Sequence, residues 1–320
     1  MKPTVSVVIV NWNSGDLLKE CLSRIVNQTY PPTHIFVVDN GSTDGSVNHV
    51  NLFERVTLLP LKTNTGFAAA NNRAIELCVT DYIALINPDA FADLNWLKQL
   101  VLAAIDNPTI AAFGSQQLIF GQPNVLDGTG DIYHISGLVW RDGYGRLQNE
   151  FDTLPKEIFS PCAGAALYAR EAIQNIGNFD EDFFCYVEDV DLGFRLRIAG
   201  YQSIYVPSAI VHHVGSATTG GHRSLFSVYH GHRNLVWAYV KNMPTFLFWT
   251  LLPLHIILNI ASIFYFSITG NSKIILKAKY DAIKGLPKML KKRRSVQKIR
   301  KVSIKEIWNI LDKRLIPNRK

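Results

Sequence analysis

The sequence is poor in cysteine, and its four cysteines (Cys21, Cys78, Cys162 and Cys185) are scattered along 320 residues without a CxxC pair. This spacing argues against a structural zinc site and against a disulfide framework, and it suits a reducing compartment. The N-terminal segment MKPTVSVVIV has one Lys, and no small-residue cleavage site follows it. It therefore predicts a first β-strand rather than a signal peptide.

Two nucleotide-binding patterns are also missing near the N-terminus. The turn after the first apolar run reads NWNSGD, whereas an NAD-linked dehydrogenase needs GxGxxG between its first strand and first helix. A sugar-nucleotide pyrophosphorylase would need a Gly-rich, basic loop at the same place, and the sequence has none there. The sequence therefore argues against both of these enzyme classes.

Positive charge is scarce in the body of the chain and concentrated at its C-terminus. The net charge is +7, yet residues 271–320 contain 17 Lys and Arg against 3 Asp and Glu, which leaves a net charge of −7 on residues 1–270. A basic tail on an acidic body indicates an anionic partner, either phospholipid or nucleic acid.

Charged side chains are absent from residues 245–268, a segment long enough to cross a bilayer. His255, Asn259 and Ser262 form a polar stripe along it, and Pro253 is expected to interrupt the helix. A single span would place the catalytic body and the basic tail on opposite sides of the membrane, against the positive-inside rule. We therefore expect a re-entrant or interfacial helix pair, with the tail on anionic headgroups. A span and a helix within a soluble subdomain remain alternatives.

Apolar runs alternate with helical patterns in the first half of the chain. This alternation is typical of βαβ units, so it predicts an α/β fold with a mostly parallel central sheet flanked by helices, in which ligands bind beyond the carboxyl ends of the strands. A Gly-rich, aromatic stretch at residues 120–160 is expected to form an insertion that caps the site. The predicted strands are 5–10, 35–38, 56–61, 82–86 and 110–113, and the predicted helices are 16–26, 67–78 and 94–105.

Carboxylates follow two of these strands. Asp39 comes where the second strand enters a turn, where it can accept hydrogen bonds from a base or ribose. Asp89, in the segment INPDA, follows the fourth strand, which is a suitable place for an oxygen-ligated divalent cation shared with a diphosphate. The alternative for both residues is ordinary turn chemistry.

Two more clusters lie further along the chain. Glu188, Asp189 and Asp191 begin a predicted helix, where they could simply complement its positive N-terminus. A general base must point into the cleft, and Asp189 is the candidate. His212 and His213 are adjacent on an extended segment and so point to opposite sides, which lets only one of them reach a metal. We choose His212.

Taken in order, these segments resemble family 2 glycosyltransferases of the GT-A fold, in particular the rhamnosyltransferase-like branch of bacterial surface-polysaccharide enzymes. The resemblance spans about residues 4–240. It rests on the segments VSVVIVNWNSGDLLKECL, VVDNGSTDGS, NTGFAAANNRAI, LINPDA, PCAGAALYARE, GNFDEDFFCYVEDVDLGFRLRIAGY and SAIVHHVGSAT.

The resemblance implies roles for individual residues. Asp189 matches the catalytic base, and Asp89 matches the last Asp of the DxD motif, whose first Asp is replaced here by Asn87. Asp89 and His212 would hold Mn²⁺ or Mg²⁺. The residues implied in binding the nucleotide sugar are Asp39, Asn64, Gly66, Phe67, Asn71, Arg73 (near the diphosphate), Asn87, Asp89 and Glu188.

The function implied is inverting transfer of a sugar from a nucleoside diphosphate to a saccharide acceptor, with dTDP-rhamnose as the first candidate donor and UDP-sugars next. The apolar segment suggests a lipid-linked acceptor at the cytoplasmic face of the plasma membrane, contacted through Trp140, Arg141 or Tyr144. Residues 1–240 would form the catalytic domain and 241–320 the membrane-associating region. A non-catalytic binding module is the alternative, although acidic clusters argue against nucleic acid.

Overall fold

The computed structural model describes residues 2–151, 153–215 and 224–314, so residues 315–320 of the predicted basic tail lie outside the described ranges. The strands are β1 Val5–Asn11, β2 His34–Asp39, β3 Val56–Pro60, β4 Tyr82–Ile86, β5 Ala90–Ala92, β6 Ile110–Ile119, β7 Gln122–Gly128, β8 Asp131–Tyr133, β9 Val139–Arg141, β10 Lys156–Glu157, β11 Ala165–Ala169 and β12 Gln202–His213. The helices are α1 Leu17–Val26, α2 Phe67–Ile75, α3 Trp96–Asp106, α4 Arg170–Asn175, α5 Glu188–Ile198, α6 Leu225–Asn242, α7 Thr245–Ile268, α8 Ser272–Lys284, α9 Leu286–Lys298 and α10 Ile304–Ile310.

The central sheet runs in the order β10-β12-β6-β11-β4-β1-β2-β3. The four strands β4-β1-β2-β3 are parallel, as expected from the βαβ pattern, and β6 and β12 also pair in parallel. The sheet as a whole is mixed, because β11 enters antiparallel between β4 and β6 when the chain returns from the insertion at 120–160. β7, β8 and β9 of that insertion lie over the carboxyl ends of the parallel strands.

Helices cover both faces of the sheet. Alternate residues of β1 point to opposite faces, so that Val7 and Ile9 pack with α1 and α3, whereas Val8 packs with α2 and α5. This is why the first strands are continuous apolar runs: a strand buried on both faces has no polar side.

A third hydrophobic core joins the C-terminal helices to the rest of the protein. Tyr133 and Phe194 of the catalytic region share it with Met289, Val296 and Ile307 of the C-terminal region. Part of the basic tail is used internally, since Lys288 and Lys292 pair with acidic residues of the loop before α5. The predicted boundary at residue 240 falls within α6.

The apolar segment forms one continuous helix, α7, and not the expected pair of helices. Pro253 lies inside α7 and does not end it. A proline within a helix removes one backbone hydrogen bond, and this one is exposed on the outer side of α7. The polar stripe faces inward: His255 Nδ1 lies 2.7 Å from the Ser136 carbonyl, and Asn259 accepts a hydrogen bond from Lys279 over 2.6 Å. By length and composition α7 could span a membrane, and only 11% of its apolar window is buried within the protein.

Candidate active site

A cleft of about 1070 Å³ opens at the carboxyl ends of the parallel strands. Its floor comes from the segments after β1, β2 and β4, and its roof comes from the hairpin of β8 and β9 with the loop that follows. The segment before α5 and one face of α6 close its far side. The cleft therefore lies where ligands bind in open sheets of this kind.

One end of the cleft is built by segments that follow β1, β2 and β3. Trp12, Asn40, Asn64 and Gly66 line it, with Phe67 at the start of α2. Asn40 and Asn64 are linked by a 3.0 Å side-chain hydrogen bond, which fixes both amides. An aromatic ring beside fixed amides suits a flat heterocycle with hydrogen-bonding edges.

Three residues expected near the nucleotide do not line this cleft. Asp39 is buried behind it, accepting hydrogen bonds from Asn11 Nδ2 at 2.9 Å and from the Ser42 amide at 3.4 Å. Asn71 is buried in α2 and donates to the Phe67 carbonyl. Arg73 was expected near the diphosphate, but it points to solvent beside Glu76, because its position on α2 faces away from the sheet. For Arg73 the structure corrects the prediction.

The middle of the cleft contains a chain of ionisable groups. Asp89 Oδ1 lies 3.4 Å from His213 Nε2, and His213 Nδ1 lies 2.7 Å from Asp127 Oδ2. Burial lowers the pKa of His213, but the hydrogen bond to Asp127 and the negative charge of the nearby Asp89 outweigh this effect and raise the pKa to about 9. A carboxylate on one ring nitrogen, with the other nitrogen turned to a second carboxylate, is the arrangement that orients a metal-binding imidazole.

His213, and not His212, faces Asp89. His212 Nε2 lies 3.2 Å from Asp93 Oδ1 on the other face of β12, away from the centre of the cleft. The prediction that the two rings point to opposite sides is confirmed, and the ring that faces Asp89 is His213 rather than the chosen His212. A period of two along a strand says that neighbours alternate and does not say which face is the functional one.

The residues present fit a divalent cation that is only partly held by protein. Within the described ranges, no group of three or more His, Cys, Asp or Glu side chains is arranged to hold a metal. Asp89 offers an oxygen, and His213 Nε2 is buried without a hydrogen bond of normal length. Two protein ligands leave the remaining positions to diphosphate oxygens and water, which is the usual mode for a cation shared with a phosphate group.

Asp189 also lines the cleft, from the first turn of α5. Its Oδ2 accepts a hydrogen bond from the Ala163 amide at 3.1 Å, and its Oδ1 accepts one from the Val190 amide at 2.8 Å. Burial raises its pKa, against the lowering effect of these two bonds and of Arg141. A carboxylate that is desolvated, fixed in direction and still reachable from the cleft can serve as a general base.

Two further acids surround Asp189. Asp131 begins β8, and burial together with the charge of Asp189 raises its pKa to about 8. Glu188 is also buried, and its pKa is well above the usual range because of burial and of the neighbouring Asp189. Burial and the charge of Asp189 therefore favour the protonated forms of Asp131 and Glu188.

The hairpin residues expected to contact the acceptor, Trp140, Arg141 and Tyr144, all line the cleft. Arg141 does more than line it. Its guanidinium pairs with Asp127 and lies 3.2 Å from the Cys162 sulfur, between the carboxylates on the two walls. Arg141 therefore links the Asp89–His213 side of the cleft to the Asp189 side.

The loop before Asp189 has an unusual backbone. Phe184, Tyr186 and Val187 all have positive φ angles, between 65° and 70°, which is costly for residues with side chains. Gly66 lies beneath this loop, where a Cβ atom would come within 2.6 Å of the Phe184 ring and carbonyl. Glycine at 66 therefore allows the loop to pack against the end of the cleft that Trp12, Asn40 and Phe67 line.

Sequence reasoning missed Asp127, Asp131 and His213. The segment LDGTGDIY does carry a signal that could have indicated a functional site. Its two acids, Asp127 and Asp131, flank two glycines within a stretch otherwise rich in apolar residues. Nothing in the spacing shows that these acids meet residues of β4, α5 and β12, since that contact depends on how the insertion folds back over the sheet.

The fold and the cleft together define a nucleotide-sugar-dependent glycosyltransferase of the GT-A type, and sequence comparison names the family. The chain matches glycosyl transferase family 2 over residues 6–177, and glycosyl transferase family group 2 over residues 97–276. The protein belongs to glycosyl transferase family 2.

Two curated relatives come from Mycobacterium tuberculosis. The N-acetylglucosaminyl-diphospho-decaprenol L-rhamnosyltransferase is 31% identical over 252 residues, which cover 69% of this chain and 79% of the relative. The pre-mycofactocin glycosyltransferase is 31% identical over 212 residues, which cover 65% of this chain and 42% of the relative. The resemblance to the rhamnosyltransferase-like branch is therefore confirmed.

Solved structures show the same fold at low identity. A mannosyltransferase from Pyrobaculum calidifontis, in complex with GDP-mannose and Mn²⁺, has a TM-score of 0.56 at 17% identity and covers 97% of this chain and 88% of its own. GalNAc-T7, with UDP, GalNAc and Mn²⁺, has a TM-score of 0.62 at 17% identity and covers 76% of this chain and 49% of its own. These structures confirm the predicted GT-A fold.

Proposed function

We propose that this protein is an inverting glycosyltransferase that moves a sugar from a nucleoside diphosphate to a lipid-linked saccharide, with Asp189 as the general base. One observation carries the proposal: a single cleft is lined by the paired amides Asn40 and Asn64, by Asp89 and His213, and by the desolvated Asp189. These groups supply what the base, the diphosphate and the reacting sugar of a nucleotide-sugar donor each require.

The reaction follows from the positions of these groups. Asp189 accepts the proton of the acceptor hydroxyl as its oxygen attacks the anomeric carbon, and the bond to the diphosphate breaks on the other side. A single displacement inverts the anomeric centre. A double displacement needs a second ionised carboxylate as nucleophile, and burial together with the charge of Asp189 raises the pKa of both Glu188 and Asp131, which disfavours that role.

Asp89 and His213 would hold a divalent cation, Mn²⁺ or Mg²⁺, beside the diphosphate. When bound, the cation neutralises charge that develops on the leaving diphosphate. Asn87 lines the cleft next to Asp89 where a full DxD motif has its first Asp. The protein thus contributes one carboxylate and one imidazole, and His213 takes the role expected of His212.

The donor and acceptor are proposed from the relatives. The 31% identity to an enzyme named for L-rhamnose transfer to a diphospho-decaprenol saccharide favours dTDP-rhamnose as the donor, with a UDP-sugar as the second candidate. It also favours a lipid-linked acceptor. The solved neighbours, complexes with GDP-mannose or UDP and Mn²⁺, support a nucleotide-sugar donor and a divalent cation.

The C-terminal helices support work at an anionic membrane surface, on the cytoplasmic face where sugar nucleotides occur. One face of α7 packs on the protein while the other exposes large apolar side chains, which is the pattern of an interfacial helix. Exposed basic residues of α8 and α9 lie beside it and suit anionic headgroups. The exposed apolar residues of α7 are Phe246, Trp249, Ile256, Ile257, Ile260, Phe264, Tyr265 and Ile268.

The test is release of nucleoside diphosphate from a panel of sugar nucleotides, with a polyprenyl-diphospho-saccharide acceptor, in Mn²⁺, in Mg²⁺ and in EDTA. We expect release from one donor, lost in EDTA and in Asp89→Ala. Asp189→Asn should abolish transfer while donor affinity stays within a few-fold, whereas Glu188→Gln should retain most activity because an amide resembles the protonated acid. Absence of donor binding with either metal contradicts the proposal, and loss of donor binding in Asp189→Asn contradicts the role given to Asp189.

A further inference from the structure

The far wall of the cleft differs chemically from the rest. It is formed by one face of α6, where Val228, Gly231 and Leu235 are spaced at three and four residues, and by Phe266 near the end of α7. Leu138 and Val139 of the hairpin line the same side of the cleft. This apolar wall adjoins the loop before Asp189, because Asn234 of α6 bonds that loop directly.

Gly231 has no structural explanation in the described part of the chain. A glycine inside a helix costs about 1 kcal/mol relative to alanine. Its φ is not positive, and a Cβ built on it meets no atom of the described residues within 4 Å. The residue is needed neither for backbone strain nor for close packing, so what glycine preserves at 231 is open space within the cleft.

The apolar wall leads toward the apolar face of α7. Phe266 lies edge-on to the His232 ring, with centroids 4.8 Å apart, at the end of the cleft. Phe264 and Ile268, on either side of Phe266 in sequence, are 68% and 67% exposed. A chain leaving the cleft past Phe266 would therefore meet the exposed apolar surface of α7.

We propose that the apolar wall binds the first isoprene units of the acceptor's polyprenyl carrier, and that the open space at Gly231 accommodates them. The inference rests on the proposed function for the identity of the acceptor. It adds a lipid-binding subsite inside the catalytic cleft, so that the carrier chain itself is recognised and the saccharide hydroxyl is delivered to Asp189.

The experiment measures binding of farnesyl diphosphate, a soluble fifteen-carbon polyprenyl probe, against inorganic pyrophosphate, by quenching of tryptophan fluorescence with Trp12 and Trp140 in the cleft. We expect the wild type to bind farnesyl diphosphate about tenfold or more tightly than pyrophosphate, because apolar surface is buried. Gly231→Leu should remove most of that difference, whereas Gly231→Ala, the matched control, should keep it within about threefold.

Two further variants keep the test decisive. Phe266→Ser should also weaken farnesyl diphosphate binding, and it replaces Gly231→Leu if that variant does not fold. Ile257→Asp, on the outer face of α7, should leave binding unchanged. Equal affinity for both probes in the wild type, an undiminished preference in the folded Gly231→Leu and Phe266→Ser variants, or loss of the preference only in Ile257→Asp would overturn the inference.

Binding of farnesyl diphosphate requires no sugar transfer, so the two proposals fail separately. If no donor supports release but the Gly231-dependent preference is found, the transferase proposal fails and the lipid subsite stands. If transfer to a polyprenyl-linked acceptor occurs and is equally fast in the wild type and in Gly231→Leu, the transferase proposal stands and the subsite is overturned.

Discussion

Asn234 Nδ2 lies 2.7 Å from the carbonyl oxygen of Tyr186, three residues before Asp189. The same amide group also reaches the Phe183 carbonyl at 2.8 Å and the Cys185 carbonyl at 3.0 Å, and the side chain is fully buried. One asparagine thus holds three carbonyls of a loop whose backbone is strained. Such strain persists only where the surroundings over-determine the conformation, so the direction of Asp189 depends on α6.

Replacing Asn234 with Ala should therefore disturb catalysis as well as stability. The substitution removes the side-chain donor of the Cys185 carbonyl and one of several donors of the Phe183 carbonyl, and a buried carbonyl left unsatisfied costs about 1–3 kcal/mol. We expect a lower Tm in calorimetry and a fall in kcat of about tenfold or more, with donor affinity within a few-fold. Asn107→Ala, which removes an amide from the end of α3, is the control. A lower Tm with unchanged kcat would make Asn234 purely structural.

The two adjacent histidines provide a matched pair for the metal site. His213→Ala should weaken Mn²⁺ binding in the presence of a nucleoside diphosphate by about tenfold or more, since a ligand is lost. His212→Ala, one residue away on the other face of β12, should leave it within about twofold. Titration of Mn²⁺ by electron paramagnetic resonance measures both. Equal effects of the two substitutions would contradict the assignment of His213.

Much of the fold was predictable because its signals are local. The strand β4 begins and ends at the predicted residues, Tyr82 and Ile86. An apolar run of only five residues between polar turns is too short for a buried helix and is typical of a buried strand. β6 was predicted as four residues but runs from Ile110 to Ile119. Its second half, GSQQL, is polar in composition, yet it is buried beneath the insertion. It is a strand because it pairs with the distant β12, and such pairing leaves no pattern of alternating apolar residues in the sequence.

Site residues that directly follow a strand or begin a helix could be predicted from the sequence. Site residues whose role depends on contact between distant segments could not. Asp89 and Asp189 lie in the cleft as expected. Arg73 was misplaced because it lies on a helix whose inward face could not be assigned from one sequence. Asp131 was missed because its role arises from contact with Asp189, 58 positions later in the chain, and from burial beneath a hairpin.

The raised pKa of Asp131 predicts a dependence of stability on pH. In the folded protein Asp131 keeps its proton up to about pH 8, whereas in the unfolded chain it loses the proton near pH 4. Unfolding releases this proton between these pH values, so the wild type loses stability as pH rises through that range. Asp131→Asn, an isostere of the protonated acid, lacks this loss.

The difference in Tm between Asp131→Asn and the wild type should therefore grow from pH 5 to pH 8.5, by about 3 °C or more. Calorimetry in EDTA measures it without a contribution from bound metal. Asp106→Asn, at an exposed position at the end of α3, is the control and should show no growth. A gap that stays constant with pH would mean that Asp131 is ionised in the folded protein at neutral pH.

Membrane association is best tested by substitution on the surface of α7. Truncation after Met243 would remove Met289, Val296 and Ile307 from the third core and would unfold the protein. The double variant Ile257→Asp/Ile260→Asp changes two side chains that are each 61% exposed. We expect it to reduce co-sedimentation with phosphatidylglycerol vesicles by about tenfold or more, because buried apolar area and charge attraction set the affinity.

The matched control is Leu102→Asp/Ile105→Asp, at exposed apolar positions of α3. This variant should bind vesicles as the wild type does, since α3 lies on a different part of the molecule from the basic helices α8 and α9. High salt should release the wild type in part, because the basic residues act through screened charges. If the α7 variant and the control bind equally well, the interfacial role of α7 is wrong. If both stay bound until detergent is added, α7 spans the bilayer, and the positive-inside argument against a span fails with it.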